Sequence, residues 1–494
     1  MEDLDPTGLI GRLLARWRRE PSRVVLVVHP RDGLRHEVDG AALLDEIARQ
    51  SRRVEALRAR GGLALGLCAP NGLELVAALI AALEAGLAVA PLSLELPAEE
   101  LAVRARLFGL DAIWSGADCS HEPAIEVDPA LRPPLPEGTA LLLSTSGTTG
   151  EPRAVVIGRD GLSRHTLGLA TEVMALGPTD RVLAALPLAH SFGCRMALFV
   201  PLASGAVVHI VPRFSARATL RLIEDERLTF APVVPTMLSA WCAVARTTSG
   251  PTPLRWVLSA GAPLPQGSRA RAETHLGCEV REGYGLTEAS FCTLDGPGSD
   301  GAPPVPGTVG RPTPGVEVRL DESGEVLVRG PNLMLGYLGD DAGTDAVLRE
   351  DGPGQRWLRT GDLGRWRGDR LEIVDRLKDI VLTGGFTVYP AEVERALSHV
   401  EGVVACAVFG WPDPHLGERV AAAIVRSSDL DQEAAIHQLE AEAARHLPRY
   451  AVPTRWFFLA ELPLGPSRKV QKRKLREALA EVAAATGDLS TERG

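Results

Sequence analysis

The chain has 494 residues, 45% of them hydrophobic and 23% charged, with 53 basic against 63 acidic side chains and a net charge of -10. That length is too great for one compact domain and suits two or three, with ample material for a core. The acidic balance excludes a general nucleic-acid binder, whose footprint is basic, but leaves room for an anionic substrate held by a local basic patch.

The opening MEDLDPTGLIGRLLARWRRE is acidic before it is basic and amphipathic, the reverse of a secretory signal. Residues 63–70 (LALGLCAP) read as a strand, 71–86 as a helix capped by Asn71, and 87–94 as the next strand, a β-α-β unit. The apolar run from Leu73 is broken by Glu84, Gly86 and Pro91, so it reads as a buried helix turning into a strand and not as a membrane span.

The stretch LLLSTSGTTGEPRAVVI (141–157) sets an apolar strand on each side of a loop of Ser, Thr and Gly. Such a loop approaches a polyphosphate closely: glycines remove Cβ atoms, and backbone N–H groups and hydroxyls donate to phosphate oxygens. It is not a G-x-x-x-x-G-K-[ST] P-loop, because no Lys-Ser/Thr pair closes it. A plain turn between strands stays open on the loop alone.

A second unit spans 181–212: RVLAALPL as strand, SFGCRMALFVPLASG as helix, AVVHIVP as strand. Continuous apolar strands joined by helices imply parallel sheets covered on both faces. The texture changes at the Pro/Gly-rich segment 296–315. Short alternating strands follow (VEVRL, GEVLVRG, RLEIVDR), which read as antiparallel. A boundary at Asp375–Asp379 divides residues 1–377 from a small domain at 378–494 with its own helix, strand and helix. Cys68, Cys119, Cys194, Cys242, Cys278, Cys292 and Cys406 are scattered and odd in number, with no C-x-x-C pair. They point to reduced thiols in a cytosolic protein and not to a disulfide framework or zinc site.

Four later segments follow the loop in order: EGYGLTEAS (282–290), LRTGDLGRW (358–366), DRLKDIVLTGGFTVYPAEVE (375–394) and LPLGPSRKVQKRKLRE (462–477). Together with the loop, they resemble the ATP-dependent, AMP-forming adenylating superfamily of acyl- and aryl-CoA synthetases, peptide-synthetase adenylation domains and luciferases. The resemblance is nearest to the acyl- and aryl-CoA ligases. It implies an α/β and α+β multidomain fold: a large N-terminal region of mixed and parallel sheets sandwiched with helices, a small β-rich subdomain, and a small mobile C-terminal α+β lid. It also implies the reaction. A carboxylic acid attacks the α-phosphorus of ATP, pyrophosphate leaves, and the acyl group passes to the thiol of coenzyme A, with Mg²⁺ as cofactor.

By the same resemblance, Thr145, Ser146, Gly147, Thr148, Thr149 and Gly150 cradle the β- and γ-phosphates. Arg153 stands where Lys is usual, and gives roughly 4 kcal/mol of raw attraction at about 4 Å and an effective dielectric of about 20. Tyr284 matches the aromatic beside adenine, Thr287 a phosphate-contacting hydroxyl, and Glu288 the magnesium carboxylate. Asp362 matches the acceptor for both ribose hydroxyls and Arg376 a second ribose or phosphate contact. Asp375 replaces the Gly common before that arginine. Lys378 matches the hinge position, where an ordinary surface lysine is the other reading. Lys469 matches the catalytic lysine, with Arg468 in place of the usual Gly. His190 matches a residue at the mouth of the acyl pocket, although a lone His is as readily structural. Gly261 and Ala262 match the turn along adenine and the acyl pocket, and Gly384 and Gly385 the wall of the pantetheine tunnel.

No Asp or Glu occurs from Arg181 to Ile223, so a buried ammonium would go unpaired and an α-amino acid is disfavoured. A fatty or aromatic acid fits better, with VVPTMLSAW (233–241), including Met237 and Trp241, as pocket lining or as a core helix. The run GPSRKVQKRKLR has six basic residues and no acidic one. It leaves an acyl carrier protein open as an alternative acceptor. A nucleotide-binding protein without catalysis is the third reading. The expected location is the cytoplasm, with no nucleic-acid partner and no membrane span.

Overall fold

The computed structural model describes residues 8–30, 34–121, 132–146, 152–245, 252–264, 266–297, 302–352, 354–400, 402–427, 432–463, 470–486 and 491–492. Two large mixed sheets form the body. The first has nine strands in the order 311–312, 290–294, 279–286, 256–260, 230–233, 181–184, 207–210, 24–28 and 36–39. Its inner strands are parallel and its edges antiparallel. The second has six strands, in the order 336–337, 152–158, 139–146, 88–91, 64–68 and 112–115. The parallel sheets expected from the repeated β-α-β pattern are therefore present, each closed at an edge by antiparallel pairs.

The helix Leu73–Glu84 explains the apolar run. Every residue from Leu75 to Leu83 is buried, because the helix is packed on all sides. No helix among the described residues is long and apolar enough to cross a membrane. Asn71 does not cap this helix; Gly72 holds that position. The Asn71 side chain instead donates to the Leu186 carbonyl at 2.9 Å and accepts the Leu188 N–H at 3.0 Å. Bonding to a distant chain segment takes the place of the local cap and satisfies two backbone groups there.

A third, five-stranded sheet is antiparallel throughout, as the alternating pattern predicts. It includes Glu317–Leu320, Glu325–Arg329, Arg356–Arg367 and Arg370–Arg376. The fourth sheet, six-stranded, uses only residues from Val381 onward. Its strands alternate between two cores. Val408, Val420, Ala422 and Ile424 face the helices Pro390–Leu397 and Gln432–His446. Phe409, Trp411, Ala421 and Phe457 face Leu475 and Leu479 of the helix Lys472–Thr486.

The described cysteines are all free, six of them buried. Burial pushes the Cys119 and Cys194 thiols up to about 12, so they are unreactive core groups.

Candidate active site

Three parallel strands of the first sheet, 181–184, 256–260 and 279–286, end at the same side. Their following turns deliver His190, Gly261–Ala262 and Thr287–Glu288. The carboxyl ends of parallel strands are where open α/β sheets bind ligands, since the chain must leave the sheet there and opens a crevice.

The centre of the site is Asp362, which is 3% exposed. Its Oδ2 accepts the Tyr284 hydroxyl at 2.6 Å, and its Oδ1 pairs with Arg376 Nε at 3.0 Å. Arg376 is brought there by register: it lies directly across from Asp362 in the antiparallel pair Arg356–Arg367 and Arg370–Arg376. Burial opposes the charge on Arg376, but Asp362, Asp379, Tyr284 and Glu288 outweigh it and hold the guanidinium firmly protonated. Burial, and then the Asp362 charge, raises the Tyr284 hydroxyl far above the ordinary phenol, so it stays a donor. A carboxylate offers about four lone-pair sites. Two are used here, which leaves two acceptors for further donors such as a vicinal diol.

Glycines bracket Tyr284 because the neighbouring strand approaches closely. A Cβ on Gly285 would lie 1.8 Å from the Ser290 carbonyl oxygen. Gly261 sits at φ +89°, a left-handed conformation that side chains rarely adopt, so the turn after Ala260 needs it.

Glu288 lies in the turn after strand Glu279–Leu286. Its backbone carbonyl accepts the Met334 N–H at 2.7 Å, and Asn332 holds the Ala289 carbonyl at 2.6 Å. Its side chain accepts the Tyr337 hydroxyl at 3.0 Å. Tyr337 escaped the sequence reading, and it joins two motifs. Its backbone pairs with Val155 of the strand Pro152–Gly158, and its ring lies 5.0 Å from the Arg153 guanidinium. Arg153 also faces Asp340 at 3.7 Å, the residue that caps the helix Asp341–Val347. The one signal for Tyr337 in the sequence was rarity: the chain has four tyrosines, and two of them are in this site.

Thr145 lies opposite Arg153 in the hairpin Thr139–Ser146 and Pro152–Gly158, so strands do flank the loop. Gly147, Thr148, Thr149, Gly150 and Lys469 lie outside the described residues, as does the side chain of Ser146. Thr287 is half-buried beside Glu288, and His190 is exposed at the start of its helix. Lys378 is exposed, on a short helical turn directly after Arg376. Gly384 and Gly385 form the two-residue loop of a hairpin, both with positive φ (56° and 85°), the conformation of a type I′ turn. Their sequence identity thus has a local cause. Met237 and Trp241 belong to the core of the first sheet, where the Trp241 indole N–H donates to Thr219 Oγ1 at 2.8 Å.

Among the described residues, no group of three or more His, Cys, Asp or Glu side chains is placed to hold a metal ion alone. Glu288 supplies one hard carboxylate, so a divalent ion there would need oxygens from a ligand such as a polyphosphate.

A family model described as AMP-binding enzyme matches residues 13–338, and one described as AMP-binding enzyme C-terminal domain matches residues 392–469. The chain is 32% identical to a sulfoacetate–CoA ligase of Cupriavidus necator, over 95% of this chain and 96% of that one. It is 33% identical to a feruloyl-CoA synthase of an Amycolatopsis species, over 88% of this chain and 93% of that one. Its structure is similar to o-succinylbenzoate CoA synthetase of Bacillus subtilis in complex with an acyl-adenylate intermediate, with a TM-score of 0.80 and 26% identity, covering 96% of this chain and 99% of that one.

Proposed function

The chain belongs to the AMP-binding enzyme family, the AMP-forming adenylating superfamily, and on that premise we propose how its own residues carry the reaction. It is an acid–thiol ligase: it activates a carboxylic acid with ATP and transfers the acyl group to coenzyme A. In the first step, a carboxylate oxygen bonds to the α-phosphorus and the bond to pyrophosphate breaks. In the second, the thiolate of coenzyme A bonds to the acyl carbon and AMP leaves.

The observation that carries the assignment of roles is the Tyr284–Asp362–Arg376 cluster. The two free acceptor sites of Asp362 suit the two ribose hydroxyls, and the Tyr284 ring then lies along adenine. Arg376, kept charged by Asp362, is placed to bridge ribose and phosphate. Thr145, Ser146, Gly147, Thr148, Thr149 and Gly150 would receive the outer phosphates, next to Arg153. Glu288, positioned by Tyr337, would hold Mg²⁺ with Thr287 beside it. That ion would neutralise phosphate charge as the P–O bond breaks. Lys469 would reach the acid carboxylate and α-phosphate from the C-terminal domain, residues 378–494, which is set off by a hinge at Lys378.

The acid is fatty or aromatic in skeleton; His190 at the exposed start of its helix and the Gly261–Ala262 turn suit the mouth of its pocket. Exposed Leu382, Phe386 and Leu416 around the Gly384–Gly385 hairpin support a face for a pantetheine arm, apolar and without bulk at the turn. The free, buried cysteines support a cytoplasmic location.

The test is incubation with ATP, Mg²⁺, an acid pool and coenzyme A, read as pyrophosphate release and acyl-CoA mass. Lys469→Ala should lose most adenylation and keep more of thioester formation from supplied acyl-AMP. Equal adenylation by variant and parent would remove Lys469 from its role. Transfer to a carrier protein but not to coenzyme A would change the acceptor.

A further inference from the structure

The helix that follows His190 runs from an exposed start into the buried interior. His190 is exposed; Ser191 is 9% exposed, Phe192 8%, Cys194 0% and Arg195 1%. Arg195 therefore places a guanidinium in the interior, five residues after the exposed His190. Its Nε and Nη1 are both buried, and neither has a hydrogen-bond partner. Burial pulls this guanidinium down to about 10, and among the described residues the group acting against that is the Cys194 thiol and not a carboxylate.

A buried guanidinium without a counter-charge is costly, and proteins rarely keep one without use. Among the described residues, the surroundings supply Nε and Nη1 with no acceptor. His165 is close enough for Arg195 to depress its ionisation further, and burial and Arg195 together take it down to about 3. It is neutral, with Nε2 on Thr313 Oγ1 at 3.2 Å and Nδ1 unpartnered. Thr166 Oγ1 next to it is also buried and unpartnered. Phe192 connects this cluster to the site. Its ring meets Phe291 edge-on at 5.4 Å, and its Cδ1 lies 4.0 Å from where a Cβ on Gly261 would stand. The Phe291 carbonyl in turn accepts from Thr313 at 2.9 Å. A cation and two unpartnered polar atoms, His165 Nδ1 and Thr166 Oγ1, thus share this cluster, and Phe192 links it to the Gly261 turn.

We propose that Arg195 determines the acid: the substrate carries a second anionic group at the end remote from the reacting carboxylate, and Arg195 pairs with it. This rests on the acid-activating function above and narrows its substrate to acids with two anionic ends on a fatty or aromatic skeleton. The missing counter-charge arrives with the substrate. An uncharged tail would leave the guanidinium buried and unpaired, and sites built around a polar group reject analogues that lack it by large factors.

The experiment compares dicarboxylates from succinate to sebacate, and terephthalate, with monocarboxylic acids of equal length, on the parent and on Arg195→Met. Pyrophosphate release reads activation, and the thermal midpoint without ATP reads binding. For the best dicarboxylate, the parent should show kcat/KM at least about 100-fold above its monocarboxylic partner, and a raised midpoint. Arg195→Met should lose that advantage and favour the monocarboxylic acid. Without any acid, it should melt no lower than the parent, because an unpaired ion has been replaced by an apolar chain of similar length. A parent that prefers monocarboxylic acids, or an unchanged preference in the variant, overturns the inference. Should Arg195→Met fail to fold, the parent's own preference still decides. Absence of pyrophosphate release with every acid would strike the acid-activating function instead, and the binding arm would then decide the role of Arg195.

Discussion

The buried carboxylate of Asp375 accepts the backbone N–H of Ala391 at 2.7 Å, at the amino end of the helix Pro390–Leu397. Its other oxygen accepts the Arg376 N–H at 2.7 Å. One side chain at the end of the third sheet thus fixes both the backbone of a nucleotide-site arginine and the first turn of a helix that packs on the fourth sheet. A small residue here would leave an orphan helix N–H.

Asp375→Ala should cost about 1 kcal/mol, the usual worth of a helix cap. Because the lost bonds flank residues 376–390, trypsin should cut after Arg376 or Lys378 several-fold faster than in the parent. Limited proteolysis with and without ATP checks this; an unchanged cutting rate would mean that the bond does not restrain the segment.

Asp362→Asn should raise the Kd for a non-hydrolysable ATP analogue by about 10–100-fold. It weakens the hold on Arg376 and replaces two charge-assisted acceptors with one neutral oxygen. Tyr284→Phe keeps the ring and loses one hydrogen bond, so a change of only about 3–10-fold is expected. Titration calorimetry distinguishes them. Equal losses in the two variants would mean that the tyrosine hydroxyl, and not the ring, is its contribution.

Glu288→Gln should reduce pyrophosphate release by at least about 100-fold, as loss of a charge-stabilising group does. Tyr337→Phe should act more gently, through the position of Glu288. We expect the Mg²⁺ concentration for half-maximal rate to rise several-fold, with the maximal rate at saturating Mg²⁺ falling less than about 10-fold. A Mg²⁺ response identical to the parent's would leave Tyr337 a packing residue.

Stability should depend on pH through His165. Its pKa is about 3 in the folded chain against 6.5 as the ordinary value, lowered first by burial and then by Arg195. Between those values the unfolded chain binds one more proton, so this residue's contribution to stability is complete above pH about 6.5 and falls as pH drops toward 3. Each pH unit costs about 1.4 kcal/mol per such group. His165→Gln should shrink the stability difference between pH 8 and pH 5 by about 2 kcal/mol, measured by urea unfolding. An unchanged difference would mean that His165 is not held neutral.

The sequence announced the parts of the site that are written locally. Tyr284, Glu288 and Asp362, assigned by resemblance, each lie within one short motif, and the alternation of GEVLVRG and RLEIVDR foretold an antiparallel sheet. Arg376 was assigned by resemblance. Its contact with Asp362 is a register effect, because the two strands between them form one antiparallel pair. Asn71 misled, since a residue that looks like a cap spends its amide on a segment more than a hundred positions away. The Gly384–Gly385 pair, assigned to ligand passage by resemblance, also forms the turn of its own hairpin.

Periodicity, turn chemistry and motif order depend on residues a few positions apart, so the sequence by itself determined the sheets, the two-part plan and the family of chemistry. Which polar groups meet, and which meet nothing, was decided only when strands and helices packed. Tyr284 reaches across 78 positions to Asp362, and Tyr337 across 49 to Glu288. Arg195, one cation in an apolar run, looked like part of a helix. Burial removes water from every polar atom at once, and the fold alone dictates which of them find a replacement.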